Sequence, residues 1–169
     1  PVNSGARYSP ASDTWTPIST TNAPSARNFE SAVWTGTEFI VFGGWAPDAP
    51  IDSDGYPIPN SDMYAYNPDK DTWEQVYLTG GPAGGGGGMG FVSVANGYII
   101  AWGEHRRDGT GLSKYNTGKR FNLAERRWEP MAGTTLEPRG GGGAVSLGDS
   151  VLIYGGFGYS YPCSPKLMS

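Results

Sequence analysis

Three short stretches of this chain hold residues able to do chemistry, and each points to a different kind. Residues 104–111, "EHRRDGTG", carry the only histidine, His105, beside Arg106 and Arg107. Adjacent guanidinium groups suit a carboxylate or phosphate, which an arginine grips through two parallel hydrogen bonds. Glu104 and Asp108 flank them and offer the competing reading, a self-neutralised polar surface. Residues 45–60, "WAPDAPIDSDGYPIPN", gather Asp48, Asp52 and Asp54 with the aromatic Trp45 and Tyr56. In "DSDG", Asp52 and Asp54 alternate as calcium ligands do, and Gly55 permits a sharp turn. The later Glu and the full alternation of a calcium loop are missing, so the signal is weak. The competing reading is a solvated loop stiffened by four prolines. Residues 80–91, "GGPAGGGGGMGF", raise the idea of a phosphate cradle. They lack the Lys-Ser or Lys-Thr pair of such a loop, and they lead into a strand rather than a helix.

Catalytic patterns are sparse. No G-x-S-x-G elbow occurs. One histidine excludes a histidine-rich metal site within the chain. Cys163 stands alone, so it forms no internal disulfide, and with His105 it makes no zinc site. The sequence supports no named reaction, and no cofactor is expected.

Bulk composition sets the frame for these stretches. The 169 residues suffice for one domain with a core. The net charge of −4 and pI of about 4.9 lack the basic excess of a nucleic-acid surface. Hydrophobic residues are 37%, mean hydropathy is −0.42, and no apolar run approaches the length of a spanning helix. With 27 glycines and 14 prolines the chain nears low complexity, but six Trp, ten Tyr and six Phe argue for a packed fold. This mix points to short strands and tight turns. The chain opens "PVNSGARY" with no initiator Met and no signal peptide, as though an upstream segment was removed or lies outside it. Its only lysines are Lys70, Lys114, Lys119 and Lys166. The expectation is a secreted or extracytoplasmic protein.

The positioning elements emerge from an internal repeat. Apolar runs end in glycine three times, in "EFIVFGG", "YIIAWGE" and "SVLIYGG", with Gly43, Gly103 and Gly155 spaced 60 and 52 apart. Aromatic turns recur as "YSPASDTW", "YNPDKDTW" and "FNLAERRW", with Trp15, Trp73 and Trp128 spaced 58 and 55 apart. Two independent features share one period. Each unit reads as four strands. The first is small and apolar ("ESAVWTG", "GFVSVANG", "GAVSLGD"), and the second is the run ending in glycine. The third is "SDMYAYNP", matched by "GARYSP" and "SKYNTGKRFN", and the fourth is "TWEQVYL", matched by "TWTPIS" and "RWEPM". "NPDKD" supplies turn chemistry between the third and fourth. No segment shows a convincing amphipathic helix.

Four strands per unit, a glycine pair closing the second, and a Tyr and Trp about seven residues apart: this resembles the kelch repeat of bacterial type, over residues 3–157. The resemblance implies an all-β β-propeller, each four-stranded sheet being one blade. It implies that Gly43, Gly44, Gly103, Gly155 and Gly156 let blades approach closely, and that Trp15, Trp73 and Trp128 pack between them. One unit has "GE" for the glycine pair, and carries Phe121 and Leu123 where others have Tyr and Pro.

The chain is then a single partial propeller: half-blade 3–19, blade 28–78, blade 89–131, half-blade 142–157 and tail 158–169. The N-terminal half supplies third and fourth strands and the C-terminal half supplies first and second. Two full blades and two half-blades make about three, below the usual four to eight of a closed ring. Closure needs a partner chain or missing sequence. Two chains could form a six-bladed ring about a two-fold axis, or the chain is part of a longer propeller.

Loops joining second to third strands and fourth strands to the next first strands share one face, where propellers usually bind ligands. That face carries 45–60, 104–111, the glycine-rich crossing 80–90 and the segment around Arg139. Arg27 and Arg139 sit at equivalent positions before their first strands, where kelch repeats commonly have an arginine. Each is either a ligand contact at the channel mouth or a structural donor to loop carbonyls. The glycine-rich crossing lacks this arginine. The leading functional expectation is a binding or scaffolding module for a protein or glycan. The alternatives are a kelch-like sugar epimerase or lyase, with an arginine beside a carboxylate in a concave pocket, and a structural unit of a surface assembly.

Overall fold

The computed structural model describes residues 1–28, 30–53, 55, 57–77, 91–103, 105–107, 112–114, 116–156 and 158. Expectations placed on Asp54, Tyr56, the run 80–90 and the tail after Gly158 lie outside these. Among the described residues there are fourteen strands and no helix, hence none long and apolar enough to cross a membrane.

Two antiparallel four-stranded meanders form the centre. The first blade is β3 (Ser31–Trp34), β4 (Phe39–Phe42), β5 (Met63–Asn67) and β6 (Thr72–Tyr77), hydrogen-bonded in that order. The second is β7 (Phe91–Ala95), β8 (Tyr98–Trp102), β11 (Gly118–Asn122) and β12 (Arg127–Pro130), also in chain order. Two-stranded pairs stand at either end: β1 (Ala6–Ser9) with β2 (Thr14–Pro17), and β13 (Gly143–Ser146) with β14 (Val151–Tyr154). The architecture is all-β, with open sheets that match partial kelch propeller blades.

One element departs from expectation. "SKYNTGKRFN" is not a single third strand. Ser113 and Lys114 belong to β10 (Leu112–Lys114), which pairs with β9 (His105–Arg107) in a separate hairpin. The third strand is β11 alone. β8 ends at Trp102, the partner of Gly118, and beyond it the ladder gives way to single bonds, from the Gly103 N–H to the Thr117 carbonyl (3.0 Å) and from the Trp102 indole N–H to the Asn116 carbonyl (3.2 Å). Gly103, at φ 86°, turns the chain away there. Gly118 itself is obligatory, because a Cβ would stand 2.3 Å from the Ala101 carbonyl oxygen.

The turns follow from side-chain chemistry. Asn67 Oδ1 accepts from the N–H groups of Asp69 and Lys70, both at 3.0 Å, and Asn122 Oδ1 accepts from Ala124 and Glu125, also at 3.0 Å. These are the same Asx turn in two blades. Each third-to-fourth-strand turn then places one residue in the left-handed region: Asp13 (φ 52°), Asp71 (φ 53°) and Arg126 (φ 52°). Asn96-Gly97, with φ 47° and 78°, closes β7 onto β8 as the hairpin turn that an Asn-Gly pair favours.

The core lies between the two full blades. Ile40, Phe42, Met63 and Ala65 of the first meet Ile99, Ala101 and Phe121 of the second, all buried, with Val33, Val76, Tyr77, Val92, Val94, Leu123 and Trp128 around them. Period-2 alternation puts these residues on facing sides of two sheets. Each fully buried large side chain contributes about 1.5–3 kcal/mol, so this seam is the main source of stability.

Candidate functional site

The loop face is built where the segment entering a blade meets the base of its second-to-third-strand loop. In the first blade, backbone bonds exchanged between Asn28 and Trp45 (3.1 and 3.0 Å) join those two segments. Gly44 permits it: its φ is 81°, and a Cβ would lie 2.9 Å from the Asn28 carbonyl oxygen. The close approach at this glycine is to the blade's own leading segment.

Arg27 locks the junction. Its side chain is buried, and its Nη1 donates to the Gly43 carbonyl (2.7 Å) and to Asp62 Oδ1 (2.7 Å). Nη2 donates to Asp62 Oδ2 (3.1 Å) and Ser25 Oγ (3.3 Å), and Nε to the Ser25 carbonyl (3.1 Å). The five N–H donors of a guanidinium are thereby all engaged. The group also lies over the Tyr64 ring, 5.8 Å from its centroid. Burial raises the pKa of the Tyr64 hydroxyl; Asp62 adds to that and Arg27 opposes it. Arg27 holds the base of the loop together and presents no open donor.

Arg139 begins the same way and ends differently. Its Nε donates to the Glu137 carbonyl at 3.1 Å, repeating the Arg27–Ser25 contact two residues back. Among the described residues its terminal nitrogens meet no carboxylate. In the first blade that carboxylate, Asp62, comes from just before the third strand, and among the described residues no third strand lies beside β13–β14. The second blade has Thr117 at the Asp62 position and no arginine in its glycine-rich crossing. Arginine and aspartate are present together or absent together in the two full blades.

Beyond the Arg27–Asp62 anchor, the described residues of the segment 45–60 fold back on one another. Ile51 bridges Pro57, the Ile58 N–H donates to the Pro50 carbonyl (2.7 Å), and the Gly55 N–H to the Asp52 carbonyl (3.1 Å). Ile51 and Ile58 are 59% and 47% exposed at the outer part of this projection. Trp45 sits at its base, half-buried. Asp52 is in its turn, and no group of metal-ligating side chains occurs among the described residues. His105, Arg106 and Arg107 lie on β9, paired to Lys114, Ser113 and Leu112, so they belong to a strand rather than an open loop.

The three tryptophans divide. Trp128 stands edge-on to Phe42 of the first blade (5.8 Å) and to Phe121 of its own (5.3 Å). Trp73 donates its Nε1–H to the Ser19 carbonyl of the N-terminal half-blade at 2.8 Å. Both side chains reach a neighbouring blade. Trp15 leans instead on Tyr8 at 5.0 Å and is 69% exposed.

Sequence reasoning missed Asp62 and Asp71. Asp71 Oδ1 accepts the Ser19 N–H (2.8 Å) and the Tyr66 hydroxyl (2.6 Å). The Ser19 bond is the larger cause, and the Tyr66 bond the next, of its carboxyl pKa lying below the ordinary value. Tyr8 and Asp13 repeat the pair at 2.6 Å with the same five-residue spacing. That shared spacing was the available signal.

Comparison with known proteins agrees with this architecture. Residues 2–156 match a family model described as the KLHDC2/KLHL20/DRC7 Kelch-repeats domain. Among solved structures, that of YjhT is similar, with a TM-score of 0.60 at 16% identity, over 83% of this chain and 46% of that one. The chain thus spans less than half the length of that neighbour, and the likeness is one of fold.

Proposed function

The chain belongs to the kelch-repeat family, and on that premise we propose that it is a binding or scaffolding module that meets a protein partner through the projection at residues 45–60. Kelch domains in general bind proteins. One observation carries the placement: this projection is closed by its own backbone bonds and anchored by the saturated Arg27–Asp62 clamp, yet exposes Ile51 and Ile58. A preorganised tip with apolar side chains loses little entropy on docking. Arg139 adds a guanidinium with open donors, suited to an acidic group on the partner. The enzyme reading needs an arginine beside a carboxylate in an open pocket. Arg27 is beside Asp62, but that pair is closed on itself.

Affinity capture with quantitative mass spectrometry tests the proposal, using the chain and its Ile51→Ser/Ile58→Ser double variant as baits. Proteins retained by the parent chain should be lost from the double variant. Equal capture by both would remove the projection from the proposal. A glycan array run alongside identifies the alternative ligand class.

A further inference from the structure

We propose that Asn96 and Gly97 form a self-modification site: the Gly97 nitrogen attacks the Asn96 carboxamide, and the turn is converted to aspartate and isoaspartate with water as the only co-reactant. The modified turn then loosens its bonds to two neighbouring segments. The inference is independent of what the projection at residues 45–60 binds.

The chain has eight asparagines, and Asn96 alone precedes a glycine. Several of the others are held. Asn67 and Asn122 each commit Oδ1 to two backbone N–H groups, and Asn116 gives an Nδ2–H to the Thr134 carbonyl at 3.1 Å. Asn67 also precedes Pro68, which has no N–H to lose. Asn96 is exposed, and among the described residues its carboxamide makes no hydrogen bond. Its Cγ is therefore free to swing toward the following nitrogen.

That nitrogen is equally open. Gly97 is exposed, its N–H meets no acceptor among the described residues, and nothing lies within 4 Å of where a Cβ would stand. Ring closure needs a backbone rotation at Asn96, and an exposed two-residue turn is where such a rotation displaces fewest contacts. The equivalent turns lack the reactive pair. In the first blade Thr35 precedes Gly36, and its hydroxyl accepts the Glu38 N–H at 2.9 Å. Between β13 and β14, Leu147 precedes Gly148.

The chemistry closes with water alone. Hydroxide takes the Gly97 N–H proton, the nitrogen bonds Asn96 Cγ, and the Cγ–Nδ2 bond breaks. The departing nitrogen takes a proton from water and leaves as ammonia, which regenerates hydroxide. Water then opens the five-membered succinimide. Breaking the N–Cγ bond gives aspartate. Breaking the bond between that nitrogen and the Asn96 backbone carbonyl carbon gives isoaspartate, whose main chain is one methylene longer. Both products add a negative charge, and isoaspartate also lengthens a loop that the Ala95↔Tyr98 pair closes. The turn's backbone groups serve other segments. The Asn96 N–H donates to the Gly148 carbonyl of the β13–β14 turn (3.2 Å), and the Gly97 carbonyl accepts from the Leu123 N–H (3.0 Å). Modification displaces both groups together.

The test ages the whole folded chain in mildly alkaline buffer. Peptide mass mapping should show a gain of one mass unit on the fragment holding Asn96, faster as pH rises. The Asp-Gly pairs at 54–55 and 108–109 have no ammonia to lose, so they leave the mass unchanged. Asn96→Gly tolerates the positive φ, should keep the circular dichroism of the parent, and should show no gain on that fragment. Hydrogen exchange at Leu123 should quicken about fivefold in the aged parent chain, as its bond to Gly97 is lost, and should not change in aged Asn96→Gly. A folded chain that keeps its mass while a free peptide of residues 91–102 reacts would overturn the proposal. So would an equal gain at the other asparagines, or ageing that leaves exchange at Leu123 as it was.

Discussion

The two inter-blade seams on the N-terminal side of the molecule solve one problem with opposite chemistry. Between the N-terminal half-blade and the first blade, the contact is polar and directional: Asp71 accepts from Ser19 and Tyr66, and Trp73 donates to Ser19. Between the first and second blades it is apolar: Phe42, Trp128 and Phe121 stack edge to face. At the tyrosine position the second blade has Phe121, which offers no hydroxyl. At the aspartate position it has Arg126, which reaches back to Glu38 (3.9 Å) and Glu74 (3.8 Å) of the first blade. The two residues have changed together. A left-handed turn position holds whatever its neighbour needs: an acceptor where there is a hydroxyl, a cation where the previous blade presents carboxylates.

The apolar seam should be the costlier one to break. Phe121 is 2% exposed and joins Tyr77, Trp128 and the buried cluster. Phe121→Ala should lower the unfolding free energy by about 3–5 kcal/mol, read from urea denaturation. A loss under about 1 kcal/mol would mean that the seam is not the main core.

The co-substitution can be tested directly by importing the polar pair. Phe121→Tyr alone places a hydroxyl in a buried site opposite Arg126 and should cost about 1–3 kcal/mol. Adding Arg126→Asp restores the five-residue spacing of Tyr66–Asp71 and should recover about 1 kcal/mol of that in a double-mutant cycle. Additive effects would show that the two positions are independent.

The polar seam should respond to smaller changes and to acid. Tyr66→Phe removes the hydroxyl that bonds Asp71 and should cost about 1 kcal/mol. The Asp71 carboxyl has its pKa lowered by folding, first through the Ser19 N–H and then through Tyr66. Its stabilising effect is therefore complete above the ordinary carboxylate pKa and is lost as pH falls through the lowered folded value. Asp71→Asn should melt below the parent chain near neutral pH, and the gap should close on acidification. A gap that stays constant with pH would separate the seam's stability from this carboxylate.

The repeat and the all-β, blade-like architecture were legible because each rests on local pattern: alternation, glycine after an apolar run, and aromatic spacing. What Trp15 would touch was not legible, since exposure depends on strands elsewhere. Nor was the Arg27–Asp62 clamp, whose partners lie 35 residues apart in different strands' approaches. A single arginine in a sequence looks the same whether its donors are all engaged or all open. The β9–β10 hairpin was hidden because Ser113 and Lys114 continue into "YNTGKRFN" without a break in polarity, and only the length of β8 decides where pairing stops.

The smallest effect belongs to the charges of the apolar seam. The Arg126 side chain is 42% exposed and Glu74 is 70% exposed, so water and salt screen both contacts. Pairs of this kind contribute about 0–1 kcal/mol. Arg126→Ala should therefore cost about 0.5 kcal/mol at low ionic strength and almost nothing at high salt. Salt should leave the Tyr66→Phe penalty largely intact, because that hydroxyl is buried against the seam. If Arg126→Ala proved as costly as Phe121→Ala, the division between a polar and an apolar seam would be wrong. The turn would then rank as a structural element of the core rather than a surface tether laid over it.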